Sequence, residues 1–169
     1  KLAGTNKDVL LIERENELGG ILKNSNKVKS INDQEALEWL EKTERLLKNS
    51  ANIKILKNTT VTTYNYSNHL TAIEDRSVGI EPDNKKSELV LHKIRTENTI
   101  LANGHIERFL SFRNNDLPGV MLAASFEKYI QRYDVVPDNN PVIFTNNSST
   151  FSLLKLLIDG NNKPKAYVD

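Results

Sequence analysis

The sequence predicts an α/β fold in which parallel strands alternate with helices and a small antiparallel β-meander is inserted. Three observations carry this. Short apolar runs closed by an acid occur at Val9-Leu10-Leu11-Ile12-Glu13 and again at Ala166-Tyr167-Val168-Asp169, the pattern of strands in a parallel sheet. A helical repeat of Ala36, Leu40, Thr43 and Leu47 separates the first run from another short one, Ile53–Leu56. From Thr59 to Ile94, by contrast, β-branched and aromatic residues recur in stretches broken by polar turns, as in antiparallel hairpins.

Taken in order, Asp8–Glu13 reads as a strand buried on both faces, followed by a sharp turn at Glu17-Leu18-Gly19-Gly20, where paired glycines let the backbone pass close to a neighbour. Asn32, with Glu35 three residues on, is the expected start of a helix over about Glu35–Lys48. Ile53–Leu56, Thr59–Tyr66, Leu70–Glu74 and Glu88–Ile94 are expected strands, the last two separated by a Gly79, Pro82, Asp83, Asn84 loop. Thr99–Ala102 is expected to return to the parallel sheet and to end at Asn103-Gly104. A helix over Leu122–Tyr133 follows, because Ala123, Phe126 and Ile130 share a face.

Pro137-Asp138-Asn139-Asn140-Pro141 reads as a linker. Beyond it, a strand at Val142–Thr145, a helix at Ser148–Ile158 and a strand at Ala166–Asp169 form a second βαβ unit. The expected organisation is therefore a dinucleotide-binding domain over 1–136, lacking its first strand and Gly-rich turn, and the start of a second Rossmann-like βαβ unit over 137–169. The fold is expected to be truncated at both ends.

Composition narrows the function classes. Lys and Arg total 23 against 22 acidic residues, and their interspersion leaves no basic face for nucleic acid. With no cysteine, disulfides, thiol chemistry and Cys-ligated metal are excluded from this segment, and a reducing, cytoplasmic location is expected. No apolar run is long enough for a membrane helix. The only methionine is Met121, which makes a piece of a longer protein the expectation.

Glu13 carries the most chemical information. In dinucleotide folds a carboxylate at the end of the second parallel strand accepts hydrogen bonds from the adenosine ribose hydroxyls. An ordinary solvated strand end explains Glu13 equally well until the glycine pair seven residues on is added. Val61, in mid-strand, could set its backbone against an adenine edge, but its pattern is that of plain core. At Thr145-Asn146-Asn147-Ser148-Ser149 asparagines stand where a phosphate-cradling turn would carry glycines, so a simple capped helix is favoured over an anion site. His69, His92 and His105 are too scattered to suggest a metal cluster, and no nucleophile–base pair is expected, so neither catalytic nor metal-ligating residues are assigned.

Two further stretches carry a resemblance. Ile100-Leu101-Ala102-Asn103-Gly104-His105-Ile106-Glu107-Arg108 and Asn114-Asn115-Asp116-Leu117-Pro118-Gly119-Val120-Met121-Leu122-Ala123 resemble the Ala-Thr-Gly-Ala-x-Glu-Arg-Pro and Asn-Asp-x-Pro-Gly-Val-Met-x-Ala segments of the alpha subunits of heterotetrameric sarcosine oxidases. Asn103 and Phe109 depart from the family's usual Thr and Pro. The resemblance implies a FAD/NAD(P)-binding, Rossmann-like three-layer fold, and a complex that oxidatively demethylates sarcosine to glycine. NAD is implied in this subunit, FAD and FMN in the complex, and tetrahydrofolate in a C-terminal part beyond Asp169. Beta, gamma and delta subunits are the implied partners. By the same likeness Glu13, Arg14 and Glu15 line the ribose end, Gly19, Gly20 and Ile21 the turn, and Val61 the adenine, with Ala102 and Gly104 near the cofactor. Opine oxidases, hydrogen cyanide synthases and dye-linked proline dehydrogenases share the Glu-Arg and Pro-Gly-Val-Met features, so a related amine, opine or proline dehydrogenase complex is the alternative. A non-catalytic dinucleotide-fold scaffold for subunit assembly is another.

Overall fold

The computed structural model describes residues 1–24, 28–77 and 88–169. In chain order its elements are β1 (Val9–Ile12), α1 (Ile21–Asn24), β2 (Ser30–Ile31), β3 (Gln34–Glu35), α2 (Ala36–Asn49), β4 (Ile53–Leu56), β5 (Thr59–Asn65), β6 (His69–Asp75), β7 (Leu89–Arg95), α3 (Ala123–Tyr133), β8 (Val142–Phe144), α4 (Phe151–Asp159) and β9 (Ala166–Val168). Two compact units result, residues 1–20 with 34–102, and residues 21–33 with 103–169.

In the first unit β1 and β4 pair in parallel, from Val9 opposite Ile53 to Ile12 opposite Leu56, and α2 lies between them in sequence. Ala36 and Leu40 of α2 are buried, as the helical spacing requires. Its outer side carries the i,i+4 ion pairs Glu38–Lys42, Glu41–Arg45 and Glu44–Lys48. The helix starts where expected, but its cap is Glu35, whose carboxylate accepts the Glu38 N–H at 2.9 Å. Asn32 and Asp33 instead take φ of 49° and 61° in a left-handed turn, and an N-cap needs extended backbone. β1 is half-buried along its length rather than buried on both faces, and among the described residues its strand partner is β4.

The meander is present. β5, β6 and β7 form an antiparallel sheet in that order, and β6 alternates, with Leu70 and Ala72 buried and His69 and Ile73 exposed. A bulge interrupts the β5–β6 register between Val61 and Thr63. The loop expected at Gly79, Pro82, Asp83 and Asn84 lies outside the described residues. The strand expected at Thr99–Ala102 does not form: these residues are irregular, with Ile100 79% and Leu101 72% exposed. A strand exists only through its neighbour, and neither β1 nor β4 offers this segment a ladder.

In the second unit β8 and β9 pair in parallel, from Val142 opposite Ala166 to Phe144 opposite Val168, with α4 between them in sequence as the expected βαβ unit. Phe126, Ile143, Leu153 and Leu157 form its core, with Ala123 and Ile130 packed against it. The face expected for α3 is thus the one that is buried, and residues 137–141 connect two elements, α3 and β8, that share this core. The helix expected from Ser148 begins with a 3-10 turn over Ser148–Thr150 before α4 proper. Leu122 precedes α3 and has no side-chain oxygen to cap it. Glu107 takes that role from a distance, its carboxylate accepting the Ala124 N–H at 2.8 Å. Among the described residues no helix is long and apolar enough to cross a membrane.

Candidate dinucleotide-binding site

At the carboxyl end of β1 the chain leaves the sheet through a loop built on Glu13. The Glu13 N–H donates to Leu56 O at 2.8 Å, and its carbonyl accepts the Thr59 N–H at 2.9 Å, so the loop is anchored both to β4 and to the first residue of β5. The Glu13 carboxylate folds back to accept the Glu15 N–H through Oε1 at 3.0 Å. Oε2 has no protein partner among the described residues, leaving the acceptor capacity that two ribose hydroxyls need. Arg14 points to solvent and pairs with Glu15 at 3.2 Å. Because both side chains are well exposed, that pair contributes little.

The turn that follows contains Gly19 at φ 114° and Gly20 at φ 47°. Both values lie where a Cβ is strained, which is the physical reason for two glycines here. Apart from its chain neighbours, no atom of the described residues lies within 4 Å of where a Gly20 Cβ would stand, so on that side the backbone is open to an approaching group. Ile21 is the first residue of α1 and is 47% exposed.

Val61 is not core. It stands on β5 at the edge of the bulge, 40% exposed, two residues past the Thr59 that binds Glu13. The structure therefore ties Glu13, Glu15 and the strand bearing Val61 together, with Asn58 N donating to Glu15 O at 3.1 Å as a further link. It does not tie Ala102 or Gly104 to them through any hydrogen bond among the described residues. Both are exposed, and Gly104 turns the chain at φ 67°.

The turn after β8 closes on itself. Asn147 Oδ1 accepts the Ser149 N–H at 2.9 Å, Thr145 Oγ1 donates to Asn147 O at 2.8 Å, and Asn147 N donates to Thr145 Oγ1 at 3.2 Å. Two backbone donors of the turn, Asn147 N and Ser149 N, are thus used within it, as in a capped helix.

One cluster escaped sequence reasoning. His92 Nε2 and Glu74 Oε2 are 2.8 Å apart, and Arg76 reaches the same carboxylate at 3.2 Å. The hydrogen bond to His92 first, and Arg76 after it, hold the Glu74 carboxyl below the usual carboxylate range. Asp75 is also lowered, by hydrogen bonds from the Ser77 hydroxyl and N–H. The signal was cross-strand: His92 stands opposite Ala72, so it lies diagonal to Glu74, but spacing alone does not reveal the register.

No family model matches the chain. Comparison with known proteins finds sarcosine oxidase subunit alpha of Corynebacterium sp. (strain P-1), 32% identical over 149 residues, and that of Rhizobium meliloti (strain 1021), 31% identical over 150. These matches take in 86% and 88% of this chain but only 15% of each relative. Among solved structures, the crystal structure of L-proline dehydrogenase from P. horikoshii matches with a TM-score of 0.66 at 20% identity, over 95% of this chain and 30% of that one. The FAD/NAD-binding, Rossmann-like fold expected from the sequence is therefore the fold present. In sequence, then, the chain is similar to one stretch of sarcosine oxidase alpha subunits.

Proposed function

We propose that this chain is the NAD-binding portion of an amine-oxidising oxidoreductase subunit of the sarcosine oxidase type. One observation carries the reading: a strand-end acid, Glu13, keeps a carboxylate oxygen free at the carboxyl end of a parallel strand, ahead of a turn with two left-handed glycines. Glu13 would accept the ribose hydroxyls, with Arg14 and Glu15 beside it. Gly19, Gly20 and Ile21 would let the backbone approach the ligand, and Val61 would flank the base. Ala102 and Gly104 complete the set on family likeness alone.

In this reading residues 1–136 carry the dinucleotide and 137–169 open a second unit. The complete complex demethylates sarcosine to glycine using FAD, FMN and tetrahydrofolate, and the chemistry at the flavin belongs to partner subunits. The self-capped Asn147 turn favours a narrower second reading for residues 137–169, a dinucleotide-type unit kept for assembly.

Cofactor retention separates the readings. The complete subunit, purified and denatured, should release one NAD per chain. Release of none would leave the scaffold reading for the whole chain.

A further inference from the structure

The meander has a second face, opposite buried Leu70 and Ala72, on which the register gathers donors. His69 stands opposite Arg95 on one side and Asn65 on the other, and in the next row on that face Thr71 stands opposite Lys93 and Thr63. The β5 bulge adds a residue to this row: both Thr62 Oγ1, at 2.9 Å, and Thr63 Oγ1, at 2.7 Å, reach Thr71 Oγ1. Asn65 Nδ2 donates to Thr63 Oγ1 at 3.2 Å, extending the chain of hydrogen bonds. Bulges concentrate beside binding sites because they re-aim side chains in this way.

Asn65, His69, Thr71, Lys93 and Arg95 line a depression of about 340 Å³. Among the described residues no carboxylate pairs with Lys93 or Arg95, in contrast to Arg76 on the neighbouring strand end, which two glutamates neutralise. Two cations lie side by side with a histidine around a hydroxyl floor, and an anion would supply their counter-charge while accepting hydrogen bonds from them.

We propose that this depression binds a small phosphate-type anion, held by Lys93, Arg95 and His69 over the Asn65–Thr71 floor. It shares no residue with the Glu13 loop and does not depend on the NAD reading.

The test is an NMR titration of the chain with inorganic pyrophosphate, ADP, and sodium chloride at matched ionic strength. Saturable shifts confined to β6, β7 and the end of β5 are expected with pyrophosphate and not with chloride. The Lys93→Ala/Arg95→Ala double variant, altered only at exposed positions, should weaken pyrophosphate binding at least roughly tenfold, whereas Lys54→Ala on β4 leaves it unchanged. Equal affinity for pyrophosphate and ADP identifies the free anion as ligand, and tighter binding of ADP a nucleotide diphosphate. Shifts reproduced by chloride, a double variant that binds like the parent, or binding of an oligoglutamate peptide in place of pyrophosphate would each overturn the site.

Discussion

The turns after β1 and β8 begin alike, each at the carboxyl end of a strand in a parallel pair, yet they resolve their polar groups in opposite ways. After β1, the Glu13 carboxylate keeps an open oxygen and two glycines hold left-handed φ. After β8, the Thr145 and Asn147 side chains hydrogen-bond to the backbone of their own turn. Two turns in like positions can therefore differ in how far they satisfy their own polar groups, and the function proposed above gives the ligand to the one that leaves an oxygen open.

The largest expected effect concerns the support beneath the second turn. Leu157 is fully buried in the core that joins α3, β8 and α4, so Leu157→Ala should cost about 2–5 kcal/mol, read as a shift in a urea unfolding midpoint. If the β8 turn is a structural cap, that loss arrives with no change in cofactor content of the complete subunit. The first turn is probed by Gly20→Val, which places a β-branched side chain at φ 47°. No atom blocks the added Cβ, so the cost is backbone strain of about 1–2 kcal/mol, together with weaker NAD binding.

Asn147→Ala removes the cap of the second turn and should cost about 1 kcal/mol of stability while leaving NAD affinity unchanged. Reduced affinity in that variant would erase the contrast between the turns. The smallest effect is electrostatic. Glu74 is held below its ordinary value, chiefly by His92, so its contribution to stability is present above the unfolded carboxylate pKa and is lost as pH falls through the lowered one. In His92→Ala the Glu74 titration followed by NMR should move up toward the ordinary value, and the acid limb of stability should shift upward with it.

Much of the fold was legible because periodicity records burial. The α2 repeat begins with buried Ala36 and Leu40, and the Ala123–Phe126–Ile130 face is the one α3 buries. Thr99–Ala102 was not legible, because an apolar run fixes strand propensity but not whether a partner strand stands beside it. Val61 failed for a related reason: the bulge at Val61–Thr63 depends on register, and register decides which face a side chain takes. At the site, the roles suggested for Glu13 and the glycines rest on local chain geometry that sequence reports well. The Glu74–His92–Arg76 cluster rests on pairing across strands, which it reports poorly.

The central claim is that Glu13 is a ribose acceptor and not only a strand end. Calorimetric titration of the complete subunit with NAD, as parent and as Glu13→Ala, tests it most directly. A loss of about 1.5–3 kcal/mol in binding free energy is expected, the usual consequence of removing a charged hydrogen-bond acceptor. Unchanged NAD affinity and stoichiometry in Glu13→Ala, with at most a small loss of stability, would contradict it.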